Sequence, residues 1–130
     1  MEMVPEDLRY SKEHEWVRAE GDEAIMGITD HAQSALGDIT FVELPEVGVE
    51  VKAPESIATI ESVKAASDVY APVSGKIVKV NGLLADSPEI INSSPYEEGW
   101  LCRIKMSNSS ELDGLMDAAA YTEYLKESAH

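Results

Sequence analysis

Short strand-like segments separated by turn-forming residues recur along most of the chain, and this pattern constrains the fold more than any other feature. The segments are rich in β-branched or alternating apolar residues, and Gly, Pro, Asn or Asp bounds them. They lie at residues 10–17, 23–28, 39–44, 56–60, 76–80 and 100–106. Because many short strands with tight connections build sandwiches or barrels, the sequence predicts a mainly β fold.

Helix signals lie between these segments and in the tail. Residues 29–37 predict a short helix, since Thr29 or Asp30 can cap its start and Gly37 suits its end. A Ser-Pro pair at 87–88 predicts the start of another short helix.

The tail predicts two further helices, capped by Ser109 or Ser110 and by Asp117. At 130 residues the chain is long enough for one core but not for two. We therefore predict a single domain over residues 1–130, with a core at about 10–106 and C-terminal helices at about 109–127.

The charge balance is strongly acidic, with 10 Lys and Arg against 25 Asp and Glu and a formal net charge of −15. Nucleic acids and anionic membranes need a basic protein face, so both are excluded as expected partners. The composition favours a soluble protein that meets partners through their basic patches, or one whose charge serves solubility alone. We expect a monomer.

No residue pattern in the chain points to catalysis or metal binding, since GxSxG, HExxH and phosphate-binding glycine loops are all missing. The single cysteine, Cys102, excludes an internal disulfide, and alternation places it with Trp100, Ile104 and Met106 on one buried face. No apolar stretch approaches the ~20 residues of a membrane span. The N-terminus lacks signal or transit character, so we expect a prokaryotic cytoplasmic protein, or a mitochondrial matrix protein if the chain is a processed eukaryotic form.

Lys64 lies between two strand-like runs, residues 60–63 and 68–71, with small residues beside it. A lysine at a hairpin tip projects its four-carbon stem away from the fold, where an enzyme can reach the amine. It could be an ordinary solvated lysine or a modification site. A prosthetic group joined there by an amide would sit on a long arm, at an effective concentration on the order of millimolar for sites within reach. From the residues alone both interpretations stand.

The segment ESVKAASDVYAPVSG at residues 61–75 resembles the lipoylation motif of the glycine cleavage system H proteins. The similarity covers about residues 5 to 125. Further segments resemble the family in order and spacing: YSKEHEWV (10–17), GITDHAQ (27–33), LGDI (36–39), FVELP (41–45), DSPE (86–89), NS (92–93), PY (95–96) and GW (99–100).

The resemblance implies a flattened barrel-sandwich hybrid of the lipoyl and biotinyl carrier type, with short peripheral helices and a C-terminal helical segment. It implies a carrier, not an enzyme, with lipoate joined by an amide to Lys64. Its implied partners are pyridoxal-phosphate glycine decarboxylase, tetrahydrofolate-dependent aminomethyltransferase, dihydrolipoamide dehydrogenase and the lipoylating enzymes. The chain would carry the aminomethyl group of glycine from the decarboxylase to the aminomethyltransferase. It would then present the dithiol of the reduced lipoyl group to dihydrolipoamide dehydrogenase.

The resemblance also assigns roles to acids near the lysine. Glu15 and Asp68 match family acids at the cleft that shelters the arm, where they could pair with a cationic amine. Glu61, three residues before Lys64, is a candidate for recognition by the lipoylating enzyme.

Related carriers offer alternatives to this interpretation. A biotin carrier domain would have methionines beside the lysine, whereas Val63 and Ala65 stand here. A lipoyl domain of a 2-oxoacid dehydrogenase would be shorter and often carries Asp before the lysine. A lipoate relay to other enzymes would be an additional role. The KAPE stretch at 52–55 departs from the family, which more often has a glycine-containing turn, and this leaves the detail of the arm pocket open.

Overall fold

The computed structural model describes residues 3–128, the last of them by its backbone only, and its strands form two antiparallel sheets. The first sheet has the order β1-β2-β3-β9-β8-β5, with β1 at Arg9–Tyr10, β2 at Glu15–Glu20, β3 at Glu23–Ile28, β9 at Cys102–Met106, β8 at Gly75–Val80 and β5 at Glu50–Val51. The second has the order β4-β6-β7, with β4 at Ile39–Glu43, β6 at Ser56–Ser62 and β7 at Ala66–Tyr70. The predicted mainly β sandwich is confirmed, and across residues 3–128 the two sheets stay separate instead of closing into a barrel.

Short helices connect the strands and a longer helix lies at the C-terminal end, as predicted. They are α1 (Asp30–Leu36), α2 (Leu83–Asp86), α3 (Ile90–Ser93), a 3-10 helix (Ser109–Gly114) and α4 (Ala118–Ser128). None of the helices within residues 3–128 is long and apolar enough to cross a membrane.

The caps of α1 and α4 follow the sequence. Thr29 is the N-cap of α1, because its Oγ1 accepts a hydrogen bond from the Ala32 amide at 3.2 Å. Gly37 ends α1 with φ +81°, a conformation that L side chains rarely adopt. Asp117 caps α4 by accepting from the Ala120 amide at 2.8 Å.

The strand predicted over residues 10–17 is wrong, because a tight turn interrupts it. The Ser11 amide donates to the Glu15 carbonyl at 2.9 Å and the His14 amide donates to the Ser11 carbonyl at 3.1 Å. His14 has φ +68°, in the left-handed region. This turn separates β1 from β2 and places Lys12 and Glu13 at the surface, while Glu15 is buried.

Two helix starts also differ from the prediction. The helix expected at Ser87 begins at Ile90, since the Ile90 amide closes a turn onto the Ser87 carbonyl at 3.1 Å. The first tail helix is a 3-10 helix whose cap is Asn108, not Ser109 or Ser110; its Oδ1 accepts from the Ser110 amide at 3.2 Å.

The main core fills the space between the two sheets. Cys102, Ile104 and Met106 lie in it, as predicted, whereas Trp100 precedes β9 and packs against a second cluster next to α4. Burial raises the pKa of the Cys102 thiol to about 12, so this cysteine is an inert packing residue. Each fully buried aliphatic side chain, such as Ile60, stabilises the fold by about 1.5–3 kcal/mol.

Candidate functional site

Lys64 lies in the turn that connects β6 to β7, and its side chain is exposed. The Ser62 amide donates to the Ala65 carbonyl at 2.8 Å, which closes the turn. The Ser62 hydroxyl oxygen accepts from the Lys64 amide at 3.2 Å and from the Ala65 amide at 3.1 Å. One serine side chain therefore satisfies two of the turn's backbone donors, and the lysine stands on an ordered hairpin tip.

The loop between α1 and β4 supports this turn from one side. The Val63 amide donates to the Asp38 carbonyl at 3.0 Å. The lysine stem lies over Gly37, where an added Cβ would be 3.4 Å from Lys64 Cε. Gly37 directly follows Leu36, a residue that lines a cleft on this face, so the stem lies next to that cleft.

The cleft has a volume of about 350 Å³ and lies between α1, the turn before β2, and strand β7. Its walls are partly apolar, from Ile28, Ala32, Leu36 and Ile60. Its polar side carries Glu13, Glu15, Ser67 and Asp68. A slender apolar chain ending in a cationic group fits a surface of this chemistry.

Glu15 is buried in the wall of the cleft, with only 2% of its surface exposed. One carboxyl oxygen accepts a hydrogen bond from the Ser11 hydroxyl, and the other accepts from the Tyr70 amide at 3.1 Å. Burial raises the pKa of Glu15 above its ordinary value, although these two hydrogen bonds act in the opposite direction. The carboxyl thus connects the start of β2 to β7 and also faces the cleft.

The three acids singled out from the sequence do not share one location. Asp68 is exposed and lines the same cleft as Glu15. Glu61 is exposed on β6, paired in register with Phe41 and Ala66, and does not line that cleft. The fold therefore brings Glu15 and Asp68 to one cleft. It leaves Glu61 beside the turn at residues 62–65 that carries Lys64, which we call the lysyl turn.

Two histidines that the sequence did not single out also line the cleft. The rings of His14 and His31 have centroids 4.6 Å apart. His14 Nδ1 lies 2.8 Å from the Tyr121 hydroxyl, which in turn lies 2.8 Å from Thr29 Oγ1. These two hydrogen bonds join residues 107 and 92 positions apart, so no local pattern could have revealed them.

An exposed lysine at a hairpin tip, with its stem leading to a partly apolar and acid-lined cleft, suits a prosthetic group carried on a flexible arm. No group of three or more His, Cys, Asp or Glu within residues 3–128 could hold a metal ion. Fold and site together are those of a small carrier protein.

Comparison with known proteins identifies the family. The family model described as "Glycine cleavage H-protein" matches residues 8–128. The chain is 59% identical over 128 residues to the glycine cleavage system H protein of Salmonella arizonae, covering 98% of this chain and 99% of the other. It is 57% identical over 124 residues to that of Halorhodospira halophila, covering 95% of each.

A solved structure agrees with this. The crystal structure of a glycine cleavage system H protein from Mycobacterium marinum superposes with a TM-score of 0.85 at 40% identity, covering 98% of this chain and 100% of that one. The chain belongs to the glycine cleavage H-protein family. Members of this family are carrier components of the glycine cleavage system and not catalysts, so the resemblance seen in the sequence is confirmed.

Proposed function

We propose that this chain carries lipoate, joined by an amide to Nζ of Lys64, and acts as the shuttle of the glycine cleavage system. The observation that carries the proposal is the exposed Lys64 on an ordered turn, with its stem over Gly37, the residue that follows the cleft-lining Leu36. When bound, lipoate supplies a disulfide that can open to take up cargo and close again on oxidation. The fold supplies position and reach for that group.

Its proposed partners are glycine decarboxylase, aminomethyltransferase, dihydrolipoamide dehydrogenase and the enzymes that install lipoate. The cargo taken from the first to the second is the aminomethyl group of glycine. A net charge of −15 supports encounter with basic surfaces on these partners, which salt would weaken. The relatives named above are bacterial, which supports a cytoplasmic location, and the span of the family match supports one carrier domain.

Glu15 and Asp68 are the proposed holders of the cationic cargo. Asp68 is exposed, so its attraction for an amine is worth about 1 kcal/mol or less. Glu15 is desolvated, and a cation in the cleft would favour its ionised form. Both acids would therefore attract the loaded, cationic arm more strongly than the empty one.

Glu61 is the proposed recognition residue for the lipoylating enzyme. It lies three residues before Lys64, is exposed to solvent and does not line the cleft. A basic group on that enzyme could therefore contact Glu61 while Lys64 Nζ reacts, without entering the cleft.

The test is the intact mass of the chain after incubation with a lipoylating enzyme, lipoate and ATP, which activates the lipoate carboxylate for amide formation. We expect one added lipoyl group in the wild type and none in Lys64→Arg. Lys76→Arg is the matched control, because Lys76 is also an exposed lysine but lies on β8. An unmodified wild type, or modification of the Lys64→Arg variant, would refute the proposal.

A further inference from the structure

The lysyl turn is held in place by a side chain that is remote from it in sequence. The turn bonds to the main chain of the α1–β4 loop, through the Val63 amide and the Asp38 carbonyl, and the lysine stem rests on Gly37. The direction of the stem therefore depends on how firmly Gly37 and Asp38 are fixed. These two residues are a short connection with no side chain in the core.

Asn92 of α3 fixes that connection from both ends. Its Nδ2 donates to the Gly37 carbonyl and to Gln33 Oε1, each at 2.9 Å, and its Oδ1 accepts from the Ile39 amide at 2.9 Å. Both amide hydrogens and the carbonyl oxygen of the Asn92 side chain thus form hydrogen bonds with residues that flank or precede Asp38. The next residue toward the N-terminus, Ile91, is fully buried in the main core, so Asn92 is anchored to the rigid part of the protein.

We propose that Asn92 is a positioning residue for the lysyl turn: by holding the Gly37–Asp38 loop it directs the Lys64 stem toward the cleft. The chain of contacts runs from Asn92 to Gly37 and Ile39, then from Asp38 to Val63, and from Gly37 to the stem of Lys64. The value of this for arm docking rests on the proposed function, since only a modified Lys64 has an arm to dock. The positioning itself can be tested on the unmodified chain.

Asn81 supplies a matched control with the same hydrogen-bond pattern elsewhere. Its Nδ2 donates to the Glu98 carbonyl at 2.7 Å and to the Trp100 carbonyl at 2.9 Å, and its Oδ1 accepts from the Leu83 amide at 3.2 Å. Asn81 is buried, and these three side-chain bonds lie away from the α1–β4 loop and the lysyl turn. Asn→Asp at either position keeps the size and the acceptor while removing both donors.

The experiment compares Asn92→Asp with Asn81→Asp by amide hydrogen exchange and by NOE spectra of the unmodified protein. In Asn92→Asp we expect exchange of the Val63 amide about tenfold faster than in wild type, after correction for global opening reported by Ile104. We also expect loss of the NOE between Lys64 Hε and Gly37 Hα. Asn81→Asp should retain both, even if it lowers overall stability more.

Unaltered Val63 exchange or a retained Lys64–Gly37 NOE in Asn92→Asp would overturn the proposal. Faster Val63 exchange together with loss of this NOE in Asn81→Asp would overturn it as well. If Asn92→Asp fails to fold, Gln33→Met removes one of the three Asn92 partners and should give smaller changes of the same sign. No change in that variant would count against the proposal. These measurements need no lipoate, so a chain that cannot be lipoylated would refute the proposed function without affecting this result.

In the lipoylated protein, the same positioning predicts that the arm is partly sheltered. A water-soluble phosphine should reduce the lipoyl disulfide a few times faster in Asn92→Asp than in wild type or Asn81→Asp. Equal rates in all three proteins would overturn the connection between the turn and the arm.

Discussion

Replacing Glu15 by Gln should change how the stability of the protein depends on pH. Burial raises the pKa of this carboxyl above the 4.5 that it has in the unfolded chain. Between pH 4.5 and the raised pKa, the folded protein holds a proton that the unfolded chain has lost. The stabilising contribution of Glu15 is therefore complete below pH 4.5 and is lost as the pH rises through the folded-state pKa.

The Glu15→Gln variant has nearly the same shape as wild type, and its side chain does not titrate. It keeps an acceptor for the Tyr70 amide, and Ser11 can rotate its hydroxyl to accept from the new amide. Near pH 4 the two proteins should unfold with free energies within about 1 kcal/mol of each other. As the pH rises, wild type should lose stability relative to Glu15→Gln, by about 1.4 kcal/mol for each unit by which the two pKa values differ.

Urea unfolding followed by tryptophan fluorescence from about pH 4 to about pH 8 measures this difference. Glu43→Gln, which removes one exposed negative charge from β4, measures the effect of net charge alone. Glu15→Ala provides a further comparison, because it leaves the Tyr70 amide without its acceptor and does not titrate; it should be less stable than Glu15→Gln by about 1–3 kcal/mol at every pH. A pH-independent difference between wild type and Glu15→Gln, or a wild type that gains relative stability with pH, would refute the reasoning.

Two further predictions concern the cleft and the helix that packs beside it. Glu15→Gln combined with Asp68→Asn should shorten the lifetime of the aminomethyl-loaded form a few times, because about 1 kcal/mol of attraction for the cation is lost. Release of formaldehyde measures this lifetime, and an unchanged lifetime would show that Glu15 and Asp68 do not hold the cargo. Tyr121→Phe removes the hydroxyl that lies 2.8 Å from both His14 Nδ1 and Thr29 Oγ1. It should lower the free energy of unfolding by about 1–3 kcal/mol in a urea titration, and a variant as stable as wild type would show that these contacts contribute nothing net.

Local sequence signals predicted the elements that carry the site. Alternation placed strands on both sides of Lys64, and the Thr29 cap with Gly37 at the other end defined α1. The turn that interrupts the strand predicted over residues 10–17 was missed. It depends on the left-handed backbone conformation of His14, and no Gly or Pro next to His14 signals a turn there. The start of α3 was missed because a cap-like Ser-Pro pair was used for a turn instead.

The surroundings of the site needed more than local signals. The sequence marked Glu15 and Asp68 as acids of interest, but their burial differs. Glu15, at the start of β2, is buried against β7, whereas Asp68 is exposed to solvent. Burial is set by the packing of distant elements, so it cannot be derived from the residue type. The same holds for His31 and Asn92, whose neighbours come from other parts of the chain.

By itself, the sequence determined the mainly β architecture, the family and the lysine that stands at a hairpin tip, since each of these is encoded in short contiguous patterns. Only the tertiary structure decided what surrounds that lysine. The cleft joins residues of α1, the Ser11–Glu15 turn and β7, and Asn92 reaches the supporting loop across 55 positions. The physical reason is that side-chain hydrogen bonds and burial depend on which surfaces meet when the sheets pack, a property that no single segment contains.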